Sequence, residues 1–213
     1  MDKKILIIIF ALIIIISFSG CIETSDILQE RAKTVGYQTI REVSAGIKID
    51  SITGYTDEEK TKIEYLAFGI SPRAGSKNIN ISEITSEIQY QNTTKLSLNN
   101  SLINSIDFDN YSIFNTPIKN HNNSNKYTIL DNLTNNSFGI ITIHDPDFSI
   151  ISNYCMNSGD RAYLIINLTS VIDNIGLLPE EEISGSIIPE LGKEADFYFI
   201  TPKIFSERVI ILS

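Results

Sequence analysis

The sequence predicts an α+β chain: a long N-terminal hydrophobic and then amphipathic helix, followed by an antiparallel β-sandwich or barrel, an Ig-like head. Three observations predict it. An unbroken apolar run extends from Ile5 to Ile16. Apolar residues then recur at helical spacing as far as Val43. At least eight short alternating segments follow Gly46. One helix and then many short strands place a sheet-built head behind a helical segment.

The apolar run follows a charged tip of Asp2, Lys3 and Lys4 and ends in Ser17-Phe18-Ser19-Gly20-Cys21. At 1.5 Å per residue its twelve residues cover about 20 Å, short of the roughly 30 Å hydrocarbon core. That length, with basic residues ahead of it, fits a secretory h-region. The Ser-Gly-Cys ending also fits a lipobox, with Cys21 as the lipidated residue. Two fates stay open for the segment 1–21: residues 1–20 are removed after export, or the segment is retained in a membrane or a filament core.

Residues 22–46 read as an amphipathic helix. Leu28, Ala32, Val35, Thr39 and Val43 are spaced four, three, four and four apart and share one face. Glu30, Arg31, Lys33, Arg41 and Glu42 fall mainly on the other side. Gly46 is the expected C-cap. Such a stripe is buried either on the protein's own head or against other helices.

Residues 47–213 form the head. Ile47 and Ile49, then Leu66, Phe68 and Ile70, alternate as strands do. Ile84, Ile88 and Tyr90 continue less clearly. Segments 138–143, 163–168, 183–188, 197–200 and 209–212 complete the set. Turn or bulge chemistry falls at Ser71-Pro72-Arg73-Ala74-Gly75, Asn157-Ser158-Gly159-Asp160, Ser184-Gly185 and Glu190-Leu191-Gly192. Between about residues 96 and 136 the chain turns polar and Asn-rich. It reads there as a variable insertion of long loops with one or two edge strands.

Composition narrows the function. A net charge of −9 excludes the basic footprint of a nucleic-acid binder. Two cysteines, Cys21 and Cys155, make no disulfide framework, and no Cys-x-x-Cys occurs. Cys155 has only His121 and His144 as possible bases and reads as a half-buried small hydrophobe. Asp145-Pro146-Asp147 beside His144 offers too few oxygen ligands and reads as a turn, so no metal site is assigned. No nucleophile elbow, zinc-helix or phosphate-loop motif occurs. The expectation is a protein that is not an enzyme, with no cofactor, no small-molecule substrate and no nucleic-acid partner.

Eight Asn-x-Ser/Thr sequons, more than composition alone provides, stand at Asn80, Asn92, Asn99, Asn110, Asn122, Asn132, Asn135 and Asn167. Seven lie in or next to the polar insertion. In an exported chain with exposed loops these are candidate N-glycosylation sites.

A series of segments then resembles archaeal flagellins (archaellins) in family order. The junction residues are Ile27–Gly36, Glu42–Ile49 and Ile52-Thr53-Gly54-Tyr55. Ile70-Ser71-Pro72-Arg73-Ala74-Gly75-Ser76, Phe138-Gly139-Ile140-Ile141 and Asn157-Ser158-Gly159-Asp160 follow. Ser184 to Gly192, Phe199-Ile200-Thr201-Pro202 and Val209-Ile210-Ile211-Leu212 end the series. The resemblance covers nearly everything outside about 96–136.

It implies a structural subunit of an archaellum or related surface filament, used in motility and displayed at the cell surface. Partners would be copies or related archaellins, held through an N-terminal helix bundle, with the membrane engaged during export and before assembly. The expected assembly residues are Ile5, Ile9, Leu12, Ile16, Leu28, Ala32, Val35 and Val43. The leader departs from the family pattern, which has a Gly between basic residues and the apolar run. The alternative is therefore an archaellin-derived surface or adhesion protein anchored by lipid at Cys21.

Overall fold

A computed structural model describes residues 46–76, 78–105, 113–115, 129–173 and 175–212. The chain divides into two compact units, 1–41 and 42–213, and all described residues lie in the second. The expected helix, its residues Ile5, Ile9, Leu12, Ile16, Leu28, Ala32, Val35 and Val43, the lipidation candidate Cys21, and the sequons Asn110 and Asn122 lie outside the described residues.

Eleven strands are present among the described residues: β1 (Ile47–Thr56), β2 (Ile63–Pro72), β3 (Asn78–Asn80), β4 (Thr85–Tyr90), β5 (Asn92–Ser105), β6 (Ser137–His144), β7 (Cys155–Asn157), β8 (Arg161–Asn167), β9 (Glu182–Ile188), β10 (Ala195–Ile200) and β11 (Val209–Ile211). Two short helices, α1 (Ser149–Asn153) and α2 (Leu168–Val171), sit at strand ends. Nine strands form one sheet in the order β10-β9-β4-β5-β6-β8-β2-β1-β11, and β3 and β7 form a separate ribbon.

The head is thus one curled sheet, close to the barrel form of the expectation, and not two packed Ig-like sheets. Its pairs are antiparallel except β5 with β6, which run parallel. Curling follows from connectivity. β10 and β11 lie at opposite edges of the sheet, yet only residues 201–208 join them. A link of eight residues cannot cross a flat nine-stranded sheet, whose strands stand about 4.8 Å apart. Between those edges Phe68 of β2 meets Phe197 of β10 with ring centroids 4.6 Å apart.

Strand alternation sorts side chains onto two faces. Leu66, Phe68 and Ile70 of β2, Phe138 and Ile140 of β6, Leu164 and Ile166 of β8, and Phe197 and Phe199 of β10 fill the inside of the curl. Their neighbours Ala67, Ile141 and Ile165 face outward into a second cluster with Leu102, Phe114, Ile129, Leu130 and Leu133. Both faces of the central strands are buried, so β2 and β6 read as apolar runs.

The second cluster corrects the reading of residues 96–136 as polar loops with edge strands. Residues 96–105 belong to β5, an interior strand of fourteen residues. Ile113–Asn115 and Ile129–Asn132 form single 3₁₀ turns that carry buried Phe114 and Ile129 onto the outer face. Phe114 stacks on Tyr55 at 4.7 Å. Between Leu98 and Ile103, β5 advances five residues while β6 advances two, from Phe138 to Ile140. The three extra residues on β5 form a bulge.

Gly185 also departs from its expected turn or bulge role. It lies within β9, where a Cβ would stand 2.0 Å from the Glu87 carbonyl oxygen and 2.6 Å from the Phe197 ring. Close backbone approach is the reason for glycine there.

Candidate functional site where the chain enters the head

The first described residue, Gly46, is buried and held on every polar side. Its N–H donates to Ser76 Oγ at 2.9 Å. Its carbonyl accepts the Arg73 N–H at 2.8 Å and the Ser76 hydroxyl at 3.2 Å. It bridges Lys193 in the parallel sense, and the next residue, Ile47, donates its N–H to the Lys193 carbonyl at 3.3 Å. A Cβ on Gly46 would stand 2.2 Å from the Lys193 oxygen, and its φ of +139° favours glycine as well. The expected helix C-cap residue is therefore a node of the barrel seam.

Arg73 spans that seam. Its Nε donates to the Ile47 carbonyl at 2.8 Å and its Nη2 to the Glu194 carbonyl at 3.4 Å. One guanidinium thus ties the start of β1 to the residue before β10. The segment Ser71-Pro72-Arg73-Ala74-Gly75-Ser76 read as a turn in sequence. The turn is present, with the Ser76 N–H donating to the Arg73 carbonyl at 3.1 Å, and it also serves as a clamp on Gly46. Beside it, Asp50 pairs with Lys48 at 2.7 Å and accepts the Ser71 hydroxyl. Burial raises the Asp50 carboxyl, and the hydrogen bonds from Lys48 and Ser71 outweigh it, holding the group below its ordinary value.

A second polar cluster lies at α1. Asp145 and Asp147 cap it, accepting from Ile150 N–H and Ser149 N–H at 3.2 Å each. The turn that the sequence suggested is present, with Phe148 N–H donating to the Asp145 carbonyl. The ribbon brings Asp160 to the same place: it is 1% exposed and accepts the Asn157 N–H at 2.7 Å. Carboxylate oxygens of Asp145, Asp147 and Asp160 lie within 4.8 Å of one another and are of the type that holds a divalent cation. Sequence reading missed Asp160 because it treated the Asn157–Asp160 turn and Asp145-Pro146-Asp147 separately.

Burial first, then the hydrogen bond with Asp147 and the charge of Asp160, push the Asp145 carboxyl up. Burial, then the charges of Asp147, Asp160 and Asp145, push the Cys155 thiol up too. A thiol so placed is a poor nucleophile.

Six sequons fall among the described residues. Asn80, Asn92, Asn132 and Asn135 are exposed, while Asn99 and Asn167 are half-buried. Asn80 and Asn99 each use Oδ1 to accept both the N–H and the hydroxyl of their own sequon serine, Ser82 and Ser101. Asn99 stands in the β5 bulge. Asn167 instead caps α2 by accepting the Ser170 N–H at 3.1 Å.

The described residues thus form a sheet-built head, one curled nine-stranded sheet with its seam tied at Gly46, and the class of protein that has such a head follows from its likeness to known proteins. The archaeal-type flagellin profile matches residues 4–199, and the chain belongs to that family. Flagellin B5 of Pyrococcus abyssi is 31% identical over 220 aligned positions, covering 97% of this chain and 95% of that protein. The crystal structure of archaeal flagellin FlaB1 from Methanocaldococcus jannaschii superposes with a TM-score of 0.64 at 26% identity, over 79% of this chain and 96% of that one. The archaeal flagellum of Methanospirillum hungatei strain JF1 gives a TM-score of 0.58 at 13% identity, over 98% of this chain and 96% of that one, a likeness of fold. The family is one of structural filament subunits, which are not a class of enzyme.

Proposed function

We propose that this chain is a structural subunit of an archaeal flagellum, displayed at the cell surface, that polymerises through its N-terminal segment and serves motility. One observation carries the reading: the family match runs from residue 4 to residue 199. The apolar run, the amphipathic stretch and the head thus fall within one family profile. An apolar run continued by a narrow amphipathic stripe is buried best against other helices of the same kind. The partners are copies of this chain or related subunits, meeting through Ile5, Ile9, Leu12, Ile16, Leu28, Ala32, Val35 and Val43. The membrane holds the chain before assembly. The exposed sequons carry glycan on the outer surface of the head.

A charge on the stripe tests this. Val35→Asp or Val43→Asp in the native cell is expected to abolish filaments while the head stays folded. Normal filaments from either variant would overturn the reading. The lipid-anchored alternative has no observation in its favour beyond the Ser19-Gly20-Cys21 triplet. Cys21→Ala separates the two: filaments unchanged supports the subunit, and release of the protein from the membrane selects the anchor.

A further inference from the structure

We infer that the Arg73–Ser76 clamp is a stiff joint that fixes the direction in which the chain leaves the head at Gly46. Arg73 and Ser76 act as positioning residues for whatever pulls or twists on the segment ahead. The inference rests on the filament reading above and deepens it.

The geometry exceeds what a tether needs. A flexible attachment is made by a few Gly or Ser residues with free backbone groups. Here both backbone groups of Gly46 are satisfied inside the head, by Ser76 Oγ and by the Arg73 N–H and Ser76 hydroxyl. These partners come from the segment after β2, thirty residues away in the case of Ser76. The opposite side is closed by Lys193, against which a side chain at residue 46 would collide. Arg73 then binds two carbonyls on the two sides of the seam, Ile47 and Glu194. Residue 46 cannot pivot without breaking several hydrogen bonds at once. A pull on it is shared between β1, β2 and the segment leading into β10, three parts of the barrel wall.

Closing the sheet is the simpler role for the same contacts, and an insertion separates the two. Two glycines placed between Ala45 and Gly46 leave every clamp contact intact and turn the joint into a Gly-rich link. The measurement is the persistence length of filaments sheared from cells making only the variant, read by electron microscopy. The order of the outer wall is read in the same images. The expected result is a persistence length shortened about two-fold or more, as for a fixed link made flexible, with a smeared outer wall and an unchanged melting temperature of the head.

Arg73→Ala combined with Ser76→Ala removes every side-chain contact of the clamp, the guanidinium links to Ile47 and Glu194 and the hydroxyl on Gly46, without touching residues 1–45, and the double variant (with Arg73→Ala alone as its milder form) is expected to soften filaments in the same way. Arg73→Lys should not rescue, because an ammonium lacks the fork that reaches two carbonyls. If the insertion stops assembly, the filaments of the double variant decide. Variant filaments as stiff and as ordered as wild type overturn the joint and leave the filament reading standing. Absence of the wild-type chain from filaments overturns both.

Discussion

Phe68 and Phe197 meet across the inside of the head with their ring centroids 4.6 Å apart and their planes inclined at 46°. They come from β2 and β10, six places apart in the strand order, so their contact exists only because the sheet curls back on itself. Phe199 adds a second ring 6.4 Å from Phe197. Aromatic pairs at such spacing add to the burial of their area.

Phe197→Ala should therefore destabilise the head by about 3–5 kcal/mol, the usual range for emptying a buried Phe site. Phe197 is 6% exposed, and Gly185 beneath the ring cannot move in to fill the space. Chemical denaturation followed by tyrosine fluorescence should show a lower midpoint with little change in slope. A midpoint within error of wild type would contradict closure by this contact.

Thr201 is a second point of leverage. Its buried hydroxyl donates to the Leu178 carbonyl at 2.6 Å and accepts the Glu181 N–H at 2.8 Å, pinning the start of the link between β10 and β11. Thr201→Val keeps the shape and leaves two backbone groups unpaired, at a cost of about 1–3 kcal/mol. Thr201→Ser, which keeps the hydroxyl, should recover most of the loss in the same denaturation assay.

The Asp145 cluster gives a pH dependence of defined sign. The Asp145 carboxyl is raised from 3.8 in the folded head, by burial first. Between 3.8 and the raised value the folded state binds more protons than the unfolded one, so stability falls as pH rises through that window. Asp145→Asn removes the ionisation and keeps a side-chain acceptor for the Ile150 N–H. The variant should gain on wild type as pH climbs through the window and hold a constant advantage above it. A difference independent of pH would remove the electrostatic explanation.

Glycan mapping by peptide mass spectrometry should find occupied sites among exposed Asn80, Asn92, Asn132 and Asn135, with Asn167 bare. Asn167 is half-buried, next to fully buried Leu168, and its oxygen caps α2. Glycan on Asn167 with the exposed sites empty would show that exposure in the folded head does not govern the choice.

Much of the head is legible from period-two alternation. Ile183 and Ile187, or Phe197 and Phe199, announce strands because one face is apolar, and Leu66, Phe68 and Ile70 stand out because the buried residues between them, Ala67 and Gly69, are small. The eight strand candidates drawn from such patterns all correspond to strands of the structure. β5 escaped because its outward positions are Asn, Ser, Thr and Lys, and because the three-residue excess in it breaks the alternation between Leu98 and Ile103. Phe114, Ile129, Leu130 and Leu133 are too sparse in their polar surroundings to reveal that they cover a sheet. The clamp was half visible: Arg73 and Ser76 lie in a segment marked as a turn and as a family likeness. The far side of the seam, Lys193 against Gly46 and Glu194 against Arg73, is more than a hundred residues away, and no local spacing encodes that distance.

The neighbours of β1 carry a consequence for the order of events in making this chain. Among the described residues β1 is the first strand and pairs with β11, the last: Thr53 lies opposite Ile211, and the Leu212 N–H bonds the Ile52 carbonyl at 2.9 Å. In a chain synthesised from its N-terminus, that pairing waits until residues 209–212 have been made. Contacts of such sequence separation form slowly. Closure of the head at this edge therefore comes only after the whole length ahead of Gly46, and every other strand of the sheet, has been made.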